Sequence, residues 1–167
     1  MKKNELQREI EKCYSYKDEF KELLSNFTDV IILGNGGSSS IASHITQDYT
    51  KQMNKRSFTF SDASRLTCYA NDYGYENTYR QFLEEFTPIG DPLVVLISSS
   101  GNSQNILNCA EWCEQNSIST VVLTGFSEDN LLKNKGMKNR EINYWVDSKN
   151  YGVVECVHMI FLHMVVE

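Results

Sequence analysis

The chain has 167 residues, 41% hydrophobic and 23% charged, with a formal net charge of −6. That balance suits one globular domain with its own core and argues against nucleic acid as a partner. No apolar run approaches a membrane span and the N-terminus carries no secretory hydrophobic region, so no membrane partner is expected and a cytoplasmic location is the default. The five cysteines, Cys13, Cys68, Cys109, Cys113 and Cys156, are odd in number and irregularly spaced, which argues against a disulfide framework.

Lys2 to Leu24 is charged and helical in character, with Leu6, Ile10, Cys13, Phe20 and Leu24 forming a loose apolar stripe. Such a stripe needs a partner surface, on the domain or on another subunit. Residues 1–24 are therefore expected to be a packing or oligomerisation helix, and 25–167 the main domain. Asp29 to Leu33 predicts the first strand, Ile41 to Met53 a helix, and Ser57 to Phe60 a short second strand. Ser64 to Ala70 predicts a short helix, which Asn71-Asp72-Tyr73-Gly74-Tyr75 interrupts. Glu76 to Phe86 is again helical, closed by Pro88-Ile89-Gly90-Asp91. Leu93 to Ile97 is apolar on both faces, as a central parallel strand should be. A helix from Ile106 to Asn116, a strand from Ser119 to Leu123 and a short helix from Asp129 to Met137 follow. A strand from Ile142 to Val146 and an apolar helix from Tyr151 to Val166 complete the chain. Alternating strands and helices predict an α/β three-layer sandwich with a five-stranded parallel sheet flanked by helices.

Two strand ends carry the chemistry. Val30 to Leu33 runs into Gly34-Asn35-Gly36-Gly37-Ser38-Ser39-Ser40, and Leu93 to Ile97 runs into Ser98-Ser99-Ser100-Gly101-Asn102-Ser103. Glycines let a backbone approach a ligand closely, and free N–H groups at a helix start favour an anion. Serine hydroxyls add neutral donors, which matter here because neither loop contains lysine or arginine. The first loop matches neither the nucleotide P-loop nor the dinucleotide GxGxxG pattern. Taken alone, each also reads as an ordinary strand-to-helix turn with solvated serines.

Polar residues also stand on helices where apolar ones are expected. His44 and Asp48 share a helical face, and Glu155, His158 and His163 lie in the apolar last helix. Two helices that each supply a carboxylate and a histidine have the composition of an acid–base pair or of a metal site.

These segments resemble the sugar isomerase (SIS) domain family and, within it, the phosphoheptose isomerases. Gly34-Asn35-Gly36-Gly37-Ser38 is similar to the family's first loop. Ser61-Asp62 and Asn71-Asp72-Tyr73-Gly74-Tyr75 resemble its second patch, Ser98 to Ser103 its phosphate-binding loop, and Leu123-Thr124-Gly125 its next strand end. The resemblance runs from about Asp29 to the C-terminus. It implies a sugar-phosphate substrate, isomerisation of sedoheptulose 7-phosphate and D-glycero-D-manno-heptose 7-phosphate through an enediol, and a homotetramer with active sites at subunit contacts. It also implies substrate binding by Asn35, Gly36, Gly37, Ser38, Asp72, Ser98, Ser99, Ser100 and Ser103, and catalysis by Asp48 as base and His163 as acid–base partner. His44, Asp48, Glu155 and His163 take the positions at which the family often holds zinc. The chain departs from the family pattern with Asp48 for glutamate, Glu155 for glutamine, and Gln52 near the place of an arginine. Isomerisation of another ketose phosphate, sugar-phosphate binding without turnover, and a purely structural metal site are the alternatives.

Overall fold

The computed structural model describes residues 3–86 and 90–166. The order of elements is α1 (Lys3–Tyr14), α2 (Lys17–Ser25), β1 (Asp29–Gly34), α3 (Gly37–Met53), β2 (Arg56–Phe58) and α4 (Ala63–Tyr73). After a 3-10 turn at Tyr75–Asn77 come α5 (Thr78–Phe86), β3 (Leu93–Ser98), α6 (Gln104–Gln115), β4 (Thr120–Thr124), α7 (Leu131–Asn134), β5 (Arg140–Trp145) and α8 (Tyr151–His163). The strands form one parallel sheet in the order β2-β1-β3-β4-β5. The expected architecture is therefore the observed one.

Strand periodicity divides the core into two layers, because successive side chains leave opposite faces of a strand. Val30 and Ile32 of β1, with Leu93, Val95 and Ile97 of β3, face a cluster that includes Phe20, Ile45, Tyr49 and Phe161. Ile31 and Leu33, with Val94 and Leu96, face a second cluster built on Phe60, Phe82, Ile106 and Cys109. Helices α1, α2, α3 and α8 thus cover one face and α5 and α6 the other. The central strands are buried on both faces, which accounts for their unbroken apolar runs.

Local differences from the sequence reading have identifiable causes. The N-terminal segment is two helices, not one. It breaks at Ser15-Tyr16, where the Ser15 hydroxyl donates to Lys12 O at 2.7 Å and the Tyr16 ring turns onto Tyr144, with centroids 5.2 Å apart. Helix α3 begins at Gly37, four residues early, because the serines form its first turn instead of preceding it. Helix α4 runs through Asn71-Asp72-Tyr73 to Gly74, whose φ of +79° stops it. The seventh helix is a single turn. The closing turn expected at Pro88-Ile89-Gly90-Asp91 lies partly outside the described residues.

The first two helices dock on their own chain. Cys13, Phe20 and Leu24 are buried beside Phe161 and Leu162, so α1 and α2 cover much of the apolar α8. A buried carboxylate pins α1 in place. Glu9 accepts from Arg8 at 2.9 Å and from the Asp147 N–H at 3.2 Å, while the Tyr144 hydroxyl donates to Glu9 O at 3.2 Å. Burying a carboxylate is tolerable only with such partners.

Helix α8 is tied to the sheet by a second buried titratable group. His158 is fully buried, and its Nε2–H donates to Thr124 O at the end of β4, 3.0 Å away. Burial lowers its pKa to about 4, against a Thr124 bond that raises it. The unfolded chain therefore binds this proton nearer pH 6.5, and the folded chain only near pH 4. Stability from the neutral imidazole is fully present above about pH 6.5 and is lost as pH falls toward 4, by on the order of 3 kcal/mol in all. Thermal unfolding followed from pH 7 to 4.5 should show this loss, and His158→Gln should flatten the slope in that window.

Candidate active site

In the strand order 2-1-3-4-5 the connections leave β1 and β3 toward opposite faces, and ligands collect at that switch point beyond the strand ends. Both serine-bearing loops emerge there. The first loop bends at Gly36, where φ is +55°, and the second at Gly101, where φ is +65°. Gly34 is equally constrained, since a Cβ on it would lie 2.6 Å from Ser38 Cβ and 3.1 Å from Ile97 O.

Between the loops lies a cleft of about 220 Å³, lined by Asn35, Gly36, Gly37, Ser38, Ser98, Ser99, Ser100 and Ser103, together with Ile97, Tyr151 and Glu155. Every residue expected to bind substrate, except Asp72, lines it. The hydroxyls have unequal commitments. Ser98 Oγ accepts from the Gly101 N–H at 3.1 Å, and Ser100 Oγ accepts from the Asn102 N–H at 3.2 Å. Ser103 occupies the N-cap position of α6 but makes no side-chain cap bond. Ser99 Oγ is buried without a partner among the described residues, a condition that a ligand oxygen would relieve.

Helix α8 packs along α3. Near the cleft, Gly37 faces Glu155, and a Cβ on Gly37 would come within 2.6 Å of the carboxylate carbon. Further along, His163 Nε2 lies 3.0 Å and His44 Nε2 3.4 Å from Asp48 Oδ2. The two imidazoles meet edge to face with centroids 5.0 Å apart. One ligand atom from each of His44, Asp48 and His163 falls within 4.8 Å of the others, as a metal ion requires. Glu155 stands outside this group, because it precedes His163 by eight residues, roughly 12 Å of helix rise. The His163 hydrogen bond holds the Asp48 carboxyl below its ordinary pKa against the opposing effect of desolvation, with further help from the charges of His44 and His163 and from Gln52. The anionic form is therefore the favoured one. Gly36 lines both the cleft and a wider depression that His44 borders, so the loop joins the two regions.

Asp72 lies elsewhere, on the exposed face of α4, where it accepts from Asn71 at 2.9 Å. Two features were missed in the sequence. Asn35 and Asn105 form a reciprocal amide pair, with Asn35 Nδ2 donating to Asn105 Oδ1 at 2.8 Å and Asn105 Nδ2 donating to Asn35 Oδ1 at 2.9 Å. The Tyr75 hydroxyl joins the pair by donating to Asn35 Oδ1 at 3.0 Å. This network ties the first cleft loop to the start of α6. Tyr151 is the other missed feature.

The chain is 34% identical over 143 residues to the phosphoheptose isomerase of Fusobacterium nucleatum, covering 83% of this chain and 71% of the relative. The chain belongs to the phosphoheptose isomerase family. A probable phosphoheptose isomerase of Thermoplasma acidophilum is 30% identical over 162 residues, 93% of this chain and 86% of that protein. The phosphoheptose isomerase structure from Neisseria gonorrhoeae superposes with a TM-score of 0.81 at 19% identity, covering 97% of this chain and 92% of that one. The structure from Francisella tularensis gives 0.79 at 22% identity, covering 97% and 90%. No protein-family model matches the chain.

The Asn35–Asn105 pair has a measurable role in this fold. Asn105→Ala should lower stability by about 1–3 kcal/mol, because it strands the Asn35 amide in a part-buried site. Denaturant unfolding of Asn35→Ala, Asn105→Ala and the double variant should show coupled, non-additive losses.

Proposed function

We propose that this protein interconverts sedoheptulose 7-phosphate and D-glycero-D-manno-heptose 7-phosphate through a cis-enediol. The observation that carries this reading is the Asp48–His163 contact of 3.0 Å on the same helix pair that borders the serine cleft. An anionic carboxylate hydrogen-bonded to an imidazole is a competent base with a proton-handling partner. Asp48 takes the proton from the carbon beside the carbonyl and returns it to the neighbouring carbon. His163 moves the proton between the two oxygens of the enediol. The sugar phosphate's anionic end is held by Ser38, Ser98, Ser99, Ser100 and Ser103, with Asn35, Gly36 and Gly37 shaping the floor.

The donor set fits zinc: two imidazole nitrogens and one carboxylate oxygen within 4.8 Å. His44, Asp48 and His163 would hold the ion, whereas Glu155, the fourth position the resemblance implies, lies more than two turns earlier on α8. When bound, the ion polarises the substrate's carbonyl and hydroxyl oxygens. A homotetramer belongs to the same reading. Asp72, on an α4 that has no buried residue, would then orient a sugar hydroxyl in a neighbouring subunit's site. A cytoplasmic location is also part of it, since all five cysteines are free thiols, as suits a reducing compartment.

The test is aldose formation from sedoheptulose 7-phosphate, measured with and without added zinc. Wild type should turn over, and His163→Ala and Asp48→Asn should each lose about 100-fold or more in kcat. Absence of turnover by wild type across several ketose phosphates, in both conditions, would rule the activity out.

A further inference from the structure

One wall of the serine cleft is aromatic. Tyr151, the first residue of α8, lines the cleft and yet is 61% exposed. Its ring stands edge to face on Phe126, with centroids 4.6 Å apart and planes at 87°. Phe126 has a φ of +55°, a left-handed conformation that bulky side chains rarely adopt and that tends to persist at functional sites. The turn it makes connects the cleft's parts. The Phe126 N–H donates to Ser148 O at 2.9 Å, and the Gly125 N–H before it donates to Ser99 O at 3.0 Å. On the other side, Asn150 Oδ1 accepts from the Val153 N–H at 3.3 Å and caps α8, which fixes where Tyr151 begins the helix.

Core packing explains Phe126 in part, since it abuts the buried cluster of the α8 face. It does not explain Tyr151, which stands outside both clusters. Ligand clefts pair a few polar anchors with aromatic walls, and tyrosine offers an apolar ring with a polar tip.

We propose that Tyr151, backed by Phe126, is a specificity-determining residue whose ring lies against the carbon chain of the bound sugar phosphate. The serines hold the phosphate and are indifferent to what it esterifies, whereas the aromatic wall reads the length of carbon attached. This rests on the cleft's being a sugar-phosphate site, as argued above.

The experiment is calorimetric titration of wild type, Tyr151→Ala, Tyr151→Phe and Phe126→Gly with sedoheptulose 7-phosphate and, separately, with inorganic phosphate, which has no carbon chain. Tyr151→Ala and Phe126→Gly should weaken the sugar phosphate by about five- to tenfold, and inorganic phosphate by no more than about twofold. Tyr151→Phe should stay within about twofold of wild type for both ligands. Equal losses for the two ligands, no loss for the sugar phosphate, or a Tyr151→Phe defect as large as that of Tyr151→Ala would overturn the proposal. So would failure of wild type to bind the sugar phosphate at all. Should Phe126→Gly fail to fold, the exposed Tyr151 variants decide alone. Binding by wild type without turnover would sink the isomerase reading and leave the aromatic wall standing, so the two failures are separable.

Discussion

The packing of α8 along α3 is the constraint on which the site depends. Its closeness is visible where Gly37 leaves no room for a side chain against Glu155, and where the buried Tyr49 hydroxyl donates to Leu162 O at 2.9 Å. That second contact lies one residue from both Asp48 and His163. The register of the two helices is therefore locked beside the groups it brings together, by a hydrogen bond that costs heavily if left unmade. The buried imidazole of His158 adds an anchor to the sheet, so the pair cannot slide without unpairing polar groups in the core.

The sheet supplies the other half. Divergent connections from β1 and β3 open a cleft at the switch point, and loops that contain no cation shape it with glycine turns and hydroxyls. The anion-binding character arises from backbone donors, neutral side chains and helix starts, not from formal charge. A chain of net charge −6 can in this way keep a local site for an anionic ester.

Much of this was legible in the sequence because it was local. Apolar runs, Gly36 and Gly101 at turns, and hydroxyl residues at strand ends all act within a few positions, so the parallel sheet and the cleft lining could be read directly. His44 and Asp48 were legible from their four-residue spacing. Their meeting with His163 crosses more than a hundred residues, and it was suggested only by the matching composition of two helices and by the resemblance to a family. Glu155 illustrates the limit of helical spacing. Eight residues restore the face, but they also move the side chain more than two turns along the axis. Asn105 and Tyr151 had no local signal, since the amide that pairs with Asn105 lies 70 residues away and Tyr151 meets Phe126 and the cleft only in the folded chain. The break between α1 and α2 was hidden for the same reason, because Tyr16 leaves the helix to meet Tyr144 and Phe161.

The docking of α1 reaches further than the stripe it covers. Glu9 and Arg8 grip the backbone and carboxylate of Asp147, and Lys12 donates to Trp145 O. Asp147 stands four residues before Tyr151, and the intervening Ser148 and Asn150 set where α8 starts. The amino-terminal helix is therefore a brace behind the ligand-facing wall. Loss of that brace would free the start of α8 first, so damage at the far rear of the molecule would surface as a slackened grip at the cleft while the sheet itself stayed whole.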